Sequence, residues 1–258
     1  MLLTQSEYKD YCNKFKYVWS YLQSTSHDEF TVQMNICEYR GYDYERMSGI
    51  LSKVGFVFPD REQFNQDKLK SVAKDLGLFT QKGNFLLIDR FIFPVRDMLG
   101  NIIALIGWFP DEKKYITTPS KLFSKECLFF GMEQLSKTNI GKKYVLVEGI
   151  FDSLSVRSLG IPCVAQMGIV TSRYKQAMYS LFGSLLAIPD NDSEGRKVIS
   201  EDKWRLPRNA KYLKWSGKSS SRLKDIDDLV KTYDSDDVKE LLLDAWKEDS
   251  RIVNVQLG

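Results

Sequence analysis

The chain has 258 residues, 43% of them apolar and 28% charged. These are the proportions of an ordinary globular protein with length for one large or two modest domains. A net charge of +3, from 37 basic and 34 acidic residues, is too small to identify a nucleic-acid partner by itself, but the basic residues crowd 113–125 and 196–224. Cys12, Cys37, Cys127 and Cys163 form no C-x-x-C pair, and His27 is the sole histidine. That excludes a zinc ribbon and argues against a disulfide framework. No apolar run reaches the length of a bilayer span and no leader pattern opens the chain, so a soluble, cytoplasmic protein with free thiols is expected.

Thr4-x-x-Glu7 predicts a capping box opening a helix with Tyr8, Tyr11, Phe15, Val18, Trp19 and Leu22 on one side. Aromatic residues at helical spacing pack a core or face a partner more often than they stack bases. The polar break at 24–29 holds His27, read as a surface residue and not as a ligand. Phe30, Val32, Met34 and Ile36 alternate with polar residues, which by period argues a strand. Lys68 to Leu76 predicts a short amphipathic helix stopped at Gly77.

From Phe85 the pattern turns to β. Phe85 to Ile88 and Phe91 to Val95 read as strands, Asp97 to Gly100 as a turn, Ile102 to Trp108 as the return strand, and Tyr115 to Thr118 as a third, stopped by Pro119. This antiparallel block carries Arg90, Arg96, Lys114 and Lys125. From Tyr144, strands (144–147, 163–166, 185–188, 211–215) alternate with helices (152–159, 173–182, 194–204), which predicts βαβ crossovers and a parallel sheet. A Ser- and Lys-rich loop at 214–222 leads into Lys224-Asp-Ile-Asp-Asp-Leu-Val230, where Asp228 is expected to cap a short helix. Asp234 or Ser235 caps a last helix burying Val238, Leu241, Leu242, Ala245 and Trp246, and 251–258 reads as a short tail.

Two of the parallel strands end in acids. Glu148-Gly149 follows the first, and Asp190-x-Asp192-x-x-Gly195 follows the third. Both motifs lie where open α/β sheets build their sites, at the carboxyl ends of strands. Carboxylates converging there repel one another unless cations stand between them, and oxygen-only ligands suit Mg²⁺ or Mn²⁺. Each acid taken singly is more often a helix cap or a turn residue. Both motifs directly after buried strands make a more specific signal.

Glu148-Gly149, Asp190-x-Asp192-x-x-Gly195 and Asp225-Ile-Asp227 together resemble the TOPRIM domain shared by primases, topoisomerases and some nucleases, and the surrounding text resembles bacterial and phage primases in particular. Arg90-Phe-Ile-Phe-Pro-Val-Arg-Asp97, with Gly100, Gly107, Lys114-Tyr115, Pro119, Phe123, Lys125 and Gly131 following in order, is similar to the basic subdomain of the primase core. Ile36 to Gly41 and Tyr44 to Val54, with Gly55 and Pro59, are similar to a helical segment preceding it, which implies helix in place of the strand argued by period. Thr117-Thr-Pro-Ser120 departs from the family's Asn-Ser-Pro-Glu, so that loop's contacts differ.

The resemblance implies an α/β chain: a helical segment (1–80), a basic α+β subdomain with antiparallel strands (81–141), a TOPRIM parallel-sheet βαβ unit (142–232), and a C-terminal helix and tail (233–258). It implies Glu148, Asp190, Asp192, Asp225 and Asp227 as ligands of two Mg²⁺ (or Mn²⁺) ions, without zinc, and Glu148, Asp190 and Asp192 as the catalytic set. Gly149, Asp152 and Gly195 support them, while Arg90, Arg96, Lys114, Tyr115 and Lys125 hold template and nucleotide. The implied activity is a DNA primase, a DNA-directed RNA polymerase making short primers on single-stranded DNA from NTPs. Its expected partners are a replicative helicase and a separate zinc-ribbon subunit, with no membrane. A TOPRIM nuclease would use the same acids to activate water, but leaves the primase-like block at 85–131 unexplained. A non-catalytic single-strand-binding replisome module leaves the five acids unexplained.

Overall fold

The computed structural model describes residues 4–111, 114–118, 129–135, 140–168, 171–216 and 222–256. The chain divides into two compact units, Met1–Lys125 and Glu126–Gly258.

In the first unit α1 (Gln5–Ser24), α2 (Glu29–Arg40), α3 (Tyr44–Val54) and α4 (Gln66–Ala73) surround a three-stranded antiparallel sheet. Its order is β1 (Phe91–Arg96), β2 (Ile102–Phe109), β3 (Lys114–Thr117). The capping box opens α1: the Glu7 N–H donates to Thr4 Oγ1 at 3.2 Å, and the Thr4 N–H to the Glu7 carboxylate at 2.8 Å. The segment with strand-like alternation is helix α2. Asp28 accepts the Thr31 N–H at 3.0 Å and Gly41, at φ 67°, ends the helix. Val32, Ile36 and Cys37 share its buried face, which leaves Phe30 and Met34 exposed. The alternation was a by-product of two exposed apolar residues.

Alternation of side chains assigns the two faces of the sheet. Ile92 of β1 and Leu105 of β2 pack into a core with Phe15, Val18 and Leu22 of α1 and Leu69 and Ala73 of α4. On the other face Phe56 stands 4.9 Å from Phe93, and Tyr39 of α2 meets Phe91 and Trp108 edge-on. The strand expected at 85–88 is absent. Phe85 forms only an isolated bridge with Phe79, and the chain then turns until Asp89, at φ 57°, redirects it into β1. Leu87 drops into the core, so burial there comes from a turn and not from a ladder.

The second unit runs β4 (Lys143–Val147), α5 (Ile150–Ser158), β5 (Cys163–Ala165), α6 (Arg173–Met178), β6 (Ser184–Ile188), α7 (Ser193–Ser200), β7 (Lys211–Ser216), α8 (Ile226–Thr232), α9 (Ser235–Ala245) and β8 (Ile252–Gln256). All five strands pair in parallel, in the order β5-β4-β6-β7-β8. The apolar run Tyr144 to Val147 is buried throughout, as a central parallel strand requires. Two helices end earlier than their periodicity suggests, α6 passing into a 3₁₀ turn at Tyr179 and α7 stopping at Ser200. The supposed tail is strand β8, paired with β7 from Tyr212–Ile252 to Ser216–Gln256. Val253 and Val255 are buried between exposed neighbours, the two-residue period of a strand with one covered face.

Candidate metal centre and basic block

The order β5-β4-β6 reverses the winding of the sheet at β4 and β6. Loops leaving two such strands open a crevice at their carboxyl ends. Glu148 follows β4 directly, and Asp190 follows β6 after Pro189. Gly149 starts α5, and its N–H donates to Asp152 Oδ2 at 3.0 Å, so Asp152 braces the backbone beside Glu148. Asp192 is the N-cap of α7, its Oδ1 accepting the N–H groups of Glu194 at 2.9 Å and Gly195 at 2.8 Å. Gly195 is there for space. A Cβ on it would drive into the Asp190 carbonyl oxygen, so the helix and the acidic loop meet only if residue 195 has no side chain.

The third acidic loop is tied to the second. The Asn191 N–H donates to the Lys224 carbonyl at 2.6 Å, and its Nδ2 to the Leu223 carbonyl at 3.0 Å. Asp225 thereby comes alongside, as the N-cap of α8, accepting the Asp228 N–H at 2.9 Å. Asp228, expected to cap this helix, sits within its first turn and accepts the Lys224 N–H at 3.0 Å. Cap and candidate ligand are the same residue at Asp192 and again at Asp225, because a cap uses one carboxylate oxygen and leaves the other.

The electrostatics show the convergence. Burial, then the charges of Glu148 and Asp225, push Asp190 up to about 7. Burial first, then Asp192, raise Glu148. Burial raises Asp225, against the pull of its cap hydrogen bond. Lys224 Nζ, 3.8 Å from Asp190 Oδ2, offsets part of this charge. Asp227, whose charge also raises Asp225, is engaged on both oxygens. It is fully buried in α8, accepts the Ser155 hydroxyl of α5 on one oxygen and holds Lys231 Nζ at 2.8 Å on the other. Among the described residues no three Asp, Glu, His or Cys side chains are close enough to hold one ion as they stand. The chemistry of the set nonetheless fits a hard divalent cation. The donors are oxygen only, crowded and partly desolvated, and short of positive charge.

In the first unit, Gly107 leaves room for Arg90 to lie across β2, since a Cβ there would stand 2.7 Å from Arg90 Cδ. The Arg90 guanidinium sits 5.3 Å from the centre of the Phe109 ring, with Nε and Nη1 buried and lacking a hydrogen-bond partner. Lys114 pairs with Phe109 across the sheet, so it shares the face of Arg90. Tyr115, pairing with Trp108, lies on the opposite face and is 41% exposed. Arg96 is at the far end of β1 beside a bulge. Lys125, Pro119 and Phe123 fall outside the described residues. Sequence reasoning missed Asn191, Ser155 and Lys231; only Lys224, ending a basic run beside the motif, carried any signal.

Residues 145–230 match the family described as Toprim-like. The chain is 33% identical over 131 residues to the DNA primase of Clostridium acetobutylicum, covering 47% of this chain and 22% of that one. It is 27% identical over 210 residues to the DNA primase of Thermotoga maritima, covering 74% and 36%. The chain thus spans about a fifth to a third of these relatives' length. Among solved structures, a DnaG primase catalytic domain bound to single-stranded DNA matches with a TM-score of 0.71 at 18% identity, covering 93% of this chain and 80% of that one. The chain has the fold of a TOPRIM-containing primase core. The RNA polymerase domain of Mycobacterium tuberculosis primase shares this core fold, with a TM-score of 0.64 at 20% identity and coverage of 93% and 84%. This fold holds the antiparallel sheet expected from 91–118, without the strand expected at 85–88, and the parallel sheet expected from 144–215, extended by β8.

Proposed function

We propose that this chain is the nucleotidyl-transfer core of a DNA primase, making short RNA primers on single-stranded DNA from NTPs. The convergence of Glu148, Asp190, Asp192 and Asp225 where the parallel sheet reverses its winding carries this reading. These four acids would hold two Mg²⁺ or Mn²⁺ ions. Ions held by these acids would supply Lewis-acid activation of the primer 3′-hydroxyl and charge neutralisation for the triphosphate. The chain's own residues prepare the ground. The caps at Asp192 and Asp225 fix one oxygen of each. Asn191 holds the two loops in register. Asp227 we assign to orientation instead of ligation, because Ser155 and Lys231 engage both its oxygens and lock α8 onto α5.

Arg90 and Lys114, on one face of the antiparallel sheet, supply fixed cations for phosphate, and exposed Tyr115 a ring for a base. Arg96 and Lys125 are assigned to template and nucleotide binding with them. A zinc-ribbon protein and a replicative helicase are the partners proposed, in the cytoplasm. Among the described residues, no helix is long and apolar enough to cross a membrane.

The deciding experiment supplies single-stranded DNA, labelled NTPs and Mg²⁺, with and without a zinc-ribbon protein or helicase from the same source. Short template-dependent oligomers should appear, and Glu148→Ala or Asp190→Ala should each lower their yield at least about 100-fold, the scale of losing metal-ion stabilisation of the transition state. Cutting of the DNA without incorporation, dependent on the same acids, would replace this reading with a nuclease.

A further inference from the structure

A cavity of about 520 Å³ opens in the first unit between α2 and the end of β2. Its size is within the range of ligand sites. The walls are aromatic: Tyr39, Phe58, Phe91 and Phe109. Phe58 lies 4.9 Å from Phe91, and Tyr39 stands edge-on to Phe91 with 57% of its surface exposed. Among the described residues the charged groups lining it are Glu38, Asp89 and Asp111, with Arg61 paired to Asp89 and Arg90 on the Phe109 ring. Aromatic walls with a carboxylate rim attract a flat cation, through the ring faces and through paired N–H···O bonds.

The chain itself demonstrates that chemistry at two of the lining residues. The guanidinium of Arg90 stacks on the Phe109 ring at 5.3 Å, and that of Arg61 forks onto Asp89, with Nε 2.5 Å from Oδ1. Glu38 and Asp111 are exposed at the rim, and neither has a side-chain partner among the described residues. We propose that this cavity is a docking site for an arginine side chain of a partner polypeptide, its guanidinium lying against Tyr39 and pairing with Glu38 and Asp111. Arginine fits better than lysine because the walls are flat and the acceptors flank them. The site is independent of the acidic crevice and of the assignment of priming.

His27 lines the cavity, stacks on Phe58 and is the only histidine of the chain, so its imidazole resonances report occupancy without assignment. Acetyl-arginine amide and acetyl-Gly-Arg-Gly amide are titrated into the whole chain, with Mg²⁺ in excess to occupy the acidic crevice. The His27 signals should shift saturably with both. Glu38→Lys and Tyr39→Ala, both at exposed positions, should each weaken the response at least tenfold while the urea transition of the first unit stays in place. Three outcomes overturn the proposal: no saturable shift, an equal shift with acetyl-norleucine amide, or a shift with oligo(dT) that Tyr39→Ala abolishes. The second would make the cavity merely apolar, and the third would make it a base-stacking site.

Discussion

At the scale of single residues, the acids divide by how much of each carboxylate is already spoken for. Asp190 is raised to about 7 by burial and by Glu148 and Asp225, so the folded chain retains there a proton that the unfolded chain gives up near pH 4. The folded state therefore binds more protons across that window, and stability without metal falls as pH rises from about 4 to about 7, by roughly 1.4 kcal/mol per pH unit at most. Thermal melts in EDTA should show this decline, and Mg²⁺ should remove it by replacing the missing proton. A Tm that stays flat or rises over this range in EDTA would contradict the crowding of these acids. Asp227 behaves differently. Asp227→Asn breaks a buried ion pair with Lys231 and should cost about 3 kcal/mol in urea denaturation. It should keep Mn²⁺ affinity within a few-fold, whereas Asp190→Asn should lose most of it. Equal loss of Mn²⁺ in both variants would return Asp227 to the ligands.

At the scale of elements, the site depends on how closely α7 and the Asp190 loop can approach. Gly195→Ala places a methyl group against the Asp190 carbonyl and pushes helix and loop apart. Overpacking of this kind costs about 1–3 kcal/mol, and because Asp192 caps the same helix, Mn²⁺ affinity should fall at least tenfold with it. Calorimetric titration of Mn²⁺ measures the second effect, and unchanged affinity would mean that the loop yields without moving its carboxylates. The glycine was legible in the sequence as a motif position. Its reason was not, because the oxygen it avoids is five residues earlier and is brought close only when the turn folds.

At the scale of the whole molecule, β8 is the element least expected and most easily tested. It covers the edge of β7 that would otherwise present unpaired N–H and C=O groups. Val253 and Val255 lie buried on its inner face. Val253→Asp or Val255→Asp should therefore each destabilise the second unit by about 2–3 kcal/mol, read as an earlier transition in urea, while the same change at exposed Asn254 should do little. Equal effects at all three positions would deny the strand.

Local chemistry determined much of this protein before any folding was considered. The buried run at 144–147, the alternation of strands with helices, and the paired acidic motifs depend on neighbours a few residues away, so they are written in the order of residues. The helix α2 was legible only through its resemblance, because two exposed apolar residues gave it the period of a strand. The turn at 85–89 was misread because an apolar residue entering a core from a turn looks, one residue at a time, like a residue of a strand. Tertiary structure alone decided which acids meet. Asp225 reaches the cluster because Asn191 binds the backbone of Leu223 and Lys224, more than thirty residues along the chain, and Asp227 meets a serine on another helix. Spacing in a sequence can place a carboxylate on a helix, but only the packing of that helix settles whether the carboxylate faces a crevice or a hydroxyl group.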